Sequence, residues 1–361
     1  MVNPGNKRIP IDKLHDFCVE AMIRSGMRAE DAHITAEVLV TTDSWGTFTH
    51  GTKHLGSYLR RIRAGGTDPQ AVPQVVAEGP AWAVIDGHSA MAMVSAHRGM
   101  TLAIAKAKEN GVGYAGVKRS THFGAAGYYA SMALQHDMVG LAMSNVDANM
   151  TVPGARGNVI GNNPLAYAIP AGSEHPIMLD VALSTVAAGK IYAAQDRNLP
   201  IPDTWLVDGD GLPTTDISGY PRVGSLLPMA GHKGYGLALL VEVLAAVLTG
   251  AAMTSQVRLW GSKWDVPTDE GHAFIAIDAG AIMPLDLFQE RVDWLVREIH
   301  AAPKASGSER IYLPGEMEWE KRAAAMEQGI DLPDDVRASL IRMAYEVGLD
   351  PGGLLGWRNA D

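Results

Sequence analysis

Three stretches of the chain carry residues whose types and spacing could do chemistry. In Ser120-Thr121-His122-Phe123-Gly124-Ala125-Ala126-Gly127-Tyr128-Tyr129, a short polar loop presents His122 between a strand-like run ending near Lys118 and a helical run opened by small residues. At a helix N-terminus the positive end of the dipole favours the neutral imidazole, the form a general base needs to take a hydroxyl proton. A helix-capping or core histidine is the competing reading. In Thr49-His50-Gly51-Thr52-Lys53-His54, His50 and His54 stand at i and i+4 and could share a helical face, as metal ligands do. No acidic residue lies between them and no third ligand is evident, so the zinc-hydrolase pattern is not met. The segment reads either as a polar first helical turn or as an anchor for a substrate carboxylate, through Lys53, His54 and backbone amides. The third stretch, Gly231-His232-Lys233-Gly234-Tyr235-Gly236, precedes an apolar helix. It lacks the spacing and the Ser or Thr of a P-loop. Its glycines beside Lys233 suit a cofactor phosphate or carboxylate, or simple close packing.

A fourth motif is excluded by its context. Gly111-Val112-Gly113-Tyr114-Ala115-Gly116 fits the G-x-G-x-x-G dinucleotide fingerprint, but that motif works only with a strand before it and a helix after it, so that the helix N-terminus faces the pyrophosphate. Here a helix precedes and a strand follows. Gly111 is expected to be a helix C-cap leading into a strand.

The elements that must hold these loops follow from periodicity. Leu14, Phe17, Cys18, Ala21 and Met22 recur at helical spacing, a second helix carries Ala32 to Leu39, and a third carries Leu55, Tyr58, Leu59 and Ile62. Gly65-Gly66, Pro69 and Pro73 then mark a linker. From about Val75, strand-like runs (Trp82–Asp86, Gly113–Val117, Val139–Ser144, Leu165–Ile169, Ala273–Ile277) alternate with helical ones (Val94–Asn110, Gly124–His136, Ser184–Ala194, Gly234–Leu248, Leu285–His300). That is the grammar of an α/β domain. Amphipathic helices return over Glu316–Gln328 and Pro333–Val347. The expected architecture is a central α/β domain, residues 73–303, flanked by one helical subdomain built from residues 1–72 and 304–361.

With 361 residues, 47% hydrophobic and 19% charged, the chain has the composition of a folded enzyme. A net charge of −10 with scattered basic residues argues against a nucleic-acid partner. The single cysteine, Cys18, excludes an internal disulfide and fits the reducing cytoplasm. Met1 to Leu14 has no apolar run of a signal peptide, and Glu242 interrupts the longest apolar stretch, so no membrane span is expected.

Seven of these segments, in order, resemble the malate/L-lactate dehydrogenase family that is distinct from the Rossmann lactate and malate dehydrogenases. They are Thr49-His50-Gly51, His122-Phe123-Gly124 with Gly127-Tyr128, Gly161-Asn162-Asn163-Pro164-Leu165, Asp180-Val181-Ala182, Gly189-Lys190-Ile191, Lys233-Gly234-Tyr235-Gly236 and Pro314-Gly315-Glu316. The similarity runs from about residue 10 to 348. It implies a homodimer with a non-Rossmann α/β fold, and NAD or NADP bound in a cleft between subdomains. It implies cofactor contacts from Ser144, Asp180, Val181, Ala182, Lys233 and the turn Gly315-Glu316-Met317. It also implies oxidation of a small 2-hydroxy acid to its 2-oxo acid, or the reverse, with His122 or His50 as acid/base and Thr49, Lys53, His54 and Arg156 about the substrate.

Residues Ile201 to Asp208 with Gly211 to Asp216 look most like the ureidoglycolate dehydrogenase branch. Malate, lactate, sulfolactate and a sugar-derived keto acid are the other substrates in view. Three departures stand out. Thr49 replaces a common Ser, and His54 replaces a common Arg able to pair with a carboxylate. The Pro153-Gly154-Ala155-Arg156 loop lacks an aromatic residue and is one residue shorter. Outside the family, the residues leave two readings: a metal hydrolase using His50, His54 and His122, and a non-catalytic cofactor-binding protein.

Overall fold

The computed structural model describes residues 8–357. Residues 1–7 and 358–361 of the expected helical flank lie outside the described residues.

After the two-residue strand β1 (Arg8–Ile9), helices α1 (Ile11–Arg24), α2 (Ala29–Ser44) and α3 (Leu55–Ala64) bury the faces that their spacing marks. Leu14, Phe17, Cys18, Ala21 and Met22 are all inaccessible. The chain then enters a seven-stranded mixed sheet through β2 (Gln74–Gly79) and β3 (Trp82–Asp86), an antiparallel pair. Helix α4 (Ala92–Asn110) crosses over to β4 (Val112–Ser120), which runs parallel to β3. Gly111 joins them at φ +80°, a left-handed conformation open to glycine and costly for other residues. The glycine-rich motif is therefore a helix C-cap followed by a strand, the reverse of a dinucleotide turn.

Helix α5 (Ala126–Met132) leads to β5 (Met138–Ser144), β6 (Leu165–Ile169) and β7 (Ile177–Val181), which pair antiparallel in succession. After α6 (Ala188–Asp196), a small three-stranded sheet forms from β8 (Leu206–Val207), β9 (Pro213–Thr214) and β10 (Ser225–Leu226), with β8 central. Most of the 201–216 stretch is thus a peripheral hairpin with a buried root at Leu206 and Val207. The apolar helix α7 (His232–Glu242) continues through a wide turn, 243–247. Strand β11 (Glu270–Asp278) then inserts between β4 and β5, antiparallel to both, giving the order β2-β3-β4-β11-β5-β6-β7. A short α8 (Ala279–Ile282) and α9 (Leu285–His300) follow. The C-terminal part comprises α10 (Glu316–Gln328), β12 (Ile330–Asp331), α11 (Asp334–Glu346) and α12 (Pro351–Leu355). It returns to the N-terminal helices: β12 pairs with β1, α10 packs on α2, α11 on α3, and α12 on α1.

Neighbouring residues of β11 show how the sheet is covered on both faces. Phe274 and Ala276 join an apolar cluster that runs through α4 and α5 into α1–α3 and α11, whereas Ala273 joins a second cluster with Leu183, Ile191, Leu206 and Val241. Alternation along a strand sends successive side chains to opposite faces. Glu242, a charge inside an apolar helix, is buried but fully engaged. Asn145 and Asn163 donate their side-chain amides to its two oxygens, and the Thr254 N–H donates at 2.8 Å.

Candidate active site

The segment carrying His50 and His54 is shaped from below by Asp43, a residue of α2 that is almost wholly buried. Its Oδ2 accepts the Thr52 N–H at 3.1 Å and the Thr52 hydroxyl at 2.5 Å. A Cβ on Gly51 would lie 1.9 Å from Asp43 Oδ1, so only glycine allows this approach. The result is a tight turn, Thr52–His54, ahead of α3. His50 precedes that turn and His54 ends it.

His122 comes from the loop after β4. The loop is fixed by a buried crosspiece: the His272 ring on β11 lies 2.8 Å from Ser120 Oγ and 2.8 Å from Ser144 Oγ. That ring stacks on Phe123 at 4.4 Å, and the Phe123 carbonyl accepts the Tyr129 hydroxyl at 2.5 Å. One ring therefore ties β4, β11 and β5 together where His122 emerges.

The two loops meet. The His122 ring stacks on His50 at 5.7 Å, lies 5.8 Å from His54 and packs against Trp260 at 4.7 Å, while His54 and Trp260 stand edge to face at 5.3 Å. The Tyr58 hydroxyl lies 2.6 Å from His122 Nδ1. Trp260 is delivered by the loop between α7 and β11. That loop is pinned by Arg61, a fully buried guanidinium on α3 that donates to the carbonyls of Trp260, Lys263 and Val266.

Burial decides the protonation of this cluster. Loss of solvent lowers the His122 pKa well below the ordinary histidine value, and the neighbouring His50, His54 and His272 lower it further. The dipole expected to do this belongs to a helix that begins only at Ala126; burial and the other rings are the cause. The His54 ring is pushed down to about 4 by burial first, then by His50 and Lys53. Burial also lowers His50. Behind them, burial and then Asp147 raise the Glu270 carboxyl to about 8.

The substrate residues expected from sequence divide into two groups. Thr49 places its hydroxyl 3.0 Å from His50 Nδ1 and belongs to the cluster, as does His54. Lys53 turns to α11, where its ammonium meets Asp335 at 2.7 Å and its carbonyl accepts the Ser339 hydroxyl. Arg156 is 72% exposed beside Asp210 at 3.6 Å. Neither Lys53 nor Arg156 is brought to the three rings by its contacts.

The expected cofactor residues line up along adjoining segments. Asp180, open to solvent at the end of β7, accepts the Gly127 N–H at 2.7 Å, which links β7 to the His122 loop. The backbone beyond it bonds to the segment before α7, with Leu183 accepting from the Met229 N–H. The 313–317 turn sits on β7, where Pro314 accepts the Met178 N–H. Val181, Ala182, Lys233 and Met317 are accessible along this strip. Two of the expected side chains face inward instead. Ser144 is committed to Asn145, Gly271 and His272, and Glu316 is held by the Leu313 N–H, Arg310 and His300. The α7 N-terminus offers open glycines at 231 and 236, backbone amides and the exposed Lys233, a donor set suited to phosphate. This donor set fits the phosphates of a dinucleotide. Gly189 at the start of α6 lies near Thr49, whose methyl would stand 4.0 Å from a Cβ added at that glycine.

Tyr58, Trp260, Asp43 and Arg61 were not among the site residues expected from sequence. Tyr58 shares the apolar spacing of α3, and Trp260 lies in a loop with no motif of its own, so no local signal marks either. Among the described residues, no group of three His, Cys, Asp or Glu could hold a metal ion. Nδ1 of His122 is taken by Tyr58, and the metal-hydrolase reading has no ligand set.

The sequence profile of the malate/L-lactate dehydrogenase family matches residues 9–341. The chain belongs to that family. It is 36% identical to the L-sulfolactate dehydrogenase of Methanocaldococcus jannaschii, over 97% of this chain and 98% of the relative. Identity to the ureidoglycolate dehydrogenase (NAD(+)) of Escherichia coli is 34%, over 92% and 95%. The solved structure of malate dehydrogenase from Pyrococcus horikoshii superposes with a TM-score of 0.86 at 32% identity, covering 97% of this chain and 98% of that one. Membership makes the protein a 2-hydroxy acid dehydrogenase with the mixed-sheet, non-Rossmann fold of the family. The near-equal identities do not single out ureidoglycolate.

Proposed function

We propose that the protein is an NAD(P)-dependent dehydrogenase of the cytoplasm that interconverts a small 2-hydroxy acid and its 2-oxo acid, with His122 as the acid/base. The observation that carries this reading is the hydrogen-bonded His122–Tyr58 pair at 2.6 Å, set against His50, His54 and Trp260. When bound, the nicotinamide supplies the hydride acceptor or donor. In the oxidative direction His122 Nδ1–H donates to the Tyr58 oxygen and leaves Nε2 free to take the hydroxyl proton. The ring leaves that step as imidazolium, still held by Tyr58, and returns the proton in the reductive direction. Trp260 packs against His122 and His54 and shields that side of the cluster from water, which strengthens the polar contacts there. His50 shares the pocket through Thr49 and is the second ring able to carry a proton. The 201–216 hairpin supports kinship with the ureidoglycolate branch more than a substrate; ureidoglycolate, malate and sulfolactate are each supported by the names of relatives of near-equal identity.

The test is a panel of 2-oxo acids with NADH and NADPH, followed at the reduced-nicotinamide absorbance band, for wild type and His122→Ala. Loss of most turnover with cofactor affinity retained is expected. Near-normal turnover in the variant rejects His122 as the acid/base, and no turnover with any substrate favours the non-catalytic reading. We further propose a homodimer. Leu240, Val243 and Val247, with Leu237 and Leu248 beside them, leave an apolar stripe exposed along α7 and its extension. Sedimentation as a monomer at micromolar concentration rejects it.

A further inference from the structure

The loop that follows β5 is held on both sides. Asn145 accepts the Gly271 N–H at 2.7 Å and donates to the Ala252 carbonyl at 2.9 Å. The Val146 N–H donates to Asn163 Oδ1 at 3.2 Å, and Asn149 Oδ1 accepts the Asn162 N–H at 2.9 Å. Between these fixed points stands Asp147, a half-buried carboxylate toward which the Trp260 N–H is directed. The indole of that same Trp260 packs on His122 and His54. Asp147 therefore adjoins the ring cluster through a single residue.

Two tyrosines and a second carboxyl complete the surroundings of Asp147. Tyr192 on α6 and Tyr220 stand 5.5 Å apart, and both lie within electrostatic reach of Asp147. Tyr192 is 44% exposed, so this side is open to an incoming group. Glu270 on β11 is fully buried and its Oε2 has no hydrogen-bond partner; Asp147 is the charge that acts on it most strongly. Among the described residues neither carboxyl belongs to an ion pair. Arg61, the cation that acts on Glu270, gives its N–H groups to the carbonyls of Trp260, Lys263 and Val266. A carboxylate without a counter-charge, bordered by indole and phenol rings, is the chemistry of a receptor for cationic nitrogen. The ring faces attract the charge and the carboxylate accepts the N–H.

Resting on the dehydrogenase reading above, we propose that Asp147, with Trp260, Tyr192 and Tyr220, forms a second subsite that receives a positively charged nitrogen on the tail of the substrate. The substrate is then a 2-hydroxy or 2-oxo acid whose side chain ends in an ammonium or guanidinium group. A second anion in that place, as a dicarboxylate or a sulfonate would bring, is repelled by Asp147. Selection of the tail and the packing of the proton-transfer rings share one support, because the Trp260 loop serves both and is pinned by Arg61. The oxidised nicotinamide ring is the other cation of the reaction and the rival occupant.

The test measures binding of three oxamates, non-reacting isosteres of 2-oxo acids, to the NADH-loaded enzyme by calorimetry. N-(2-aminoethyl)oxamate, N-propyloxamate and N-(carboxymethyl)oxamate have tails of similar size that are positive, uncharged and negative. Wild type is expected to bind the positive probe about tenfold or more tighter than the uncharged one, and the negative probe most weakly. Asp147→Asn, checked for folding by circular dichroism, is expected to bring the positive-to-uncharged ratio close to one. Tyr192→Ala is expected to lower that ratio severalfold. Equal affinity of wild type for the positive and uncharged probes overturns the proposal, and that comparison needs no variant. A preference for the negative probe also overturns it, as does a preference for the positive probe that survives Asp147→Asn. Weakened NAD+ binding in Asp147→Asn with an unchanged probe ratio assigns the carboxylate to the nicotinamide ring and overturns it too. Asp147-dependent binding of the positive probe without turnover on any 2-oxo acid rejects the dehydrogenase reading and leaves the subsite standing. Turnover without discrimination among the probes does the opposite.

Discussion

Replacing Tyr58 by Phe isolates the hydrogen bond on which the proposed mechanism depends. The side chain is fully buried, its ring stacks near His122 and Trp260, and Phe fills the same space apart from one oxygen. The change leaves Nδ1 of His122 without the partner that stands 2.6 Å away. A buried polar group left unsatisfied costs about 1–3 kcal/mol. The cost rises when the ring becomes imidazolium, because a charged donor bonds more strongly than a neutral one. Since that charge develops during hydride transfer, most of the loss falls on the transition state and appears in kcat. The expected fall is roughly 5- to 150-fold, with the protein otherwise folded and its denaturation midpoint reduced only slightly. Steady-state rates at saturating cofactor, a pH profile and cofactor binding by tryptophan fluorescence make up the assay. Cofactor affinity is expected to hold, because Tyr58 is remote in contact from the strip between Asp180 and Lys233. A kcat within about twofold of wild type refutes the reasoning, since the lost bond would then be worth under about 0.5 kcal/mol.

Three further outcomes follow from the same geometry. Gly51→Ala drives a Cβ into Asp43 Oδ1 and breaks both Thr52 bonds; a loss of about 2 kcal/mol or more in urea denaturation is expected, and an unchanged midpoint counts against the loop geometry. Glu270 holds its proton up to about pH 8 when folded but releases it at an ordinary carboxylate pKa when unfolded. Its folded-state pKa is raised, so the native state binds the extra proton and stability declines as pH rises from about 4.5 to 8; Glu270→Gln is expected to flatten that slope, and an unaltered stability–pH curve excludes Glu270 as its source. Lys53→Met removes an exposed ion pair worth at most about 1 kcal/mol and is expected to change KM far less than His54→Gln; a matching rise in KM would return Lys53 to the substrate.

Legibility in the sequence tracked how local the deciding forces were. Trp82–Asp86, Leu165–Ile169 and Leu285–His300 begin and end where periodicity places them, because each has one buried face and clear punctuation. Strand β2 was not legible: Gln74–Gly79 is a mostly accessible edge strand just after Pro73, so it carries no buried alternation. Strand β7 was read only as the motif Asp180-Val181-Ala182, not as part of the sheet. The rings at 50, 54 and 122 carry a local signature, and their family order brought them together on paper. Tyr58 does not, since its hydroxyl finds His122 across 64 positions of sequence. Lys53 likewise finds a distant partner, Asp335 being 282 residues downstream.

That distant partnership has a consequence for how the enzyme is made. The turn bearing His50 and His54 rests on α11, through Lys53 to Asp335 and Ser339 to the Lys53 carbonyl, and β1 is closed by β12. All seven strands of the central sheet are complete by Asp278, well before those supports are synthesised. A growing chain can thus assemble its sheet while the histidine turn is held by Asp43 but not yet by α11. A copy cut after α9 would carry every ring of the pocket, with the contacts from Asp43, Arg61 and His272 but without those from α11.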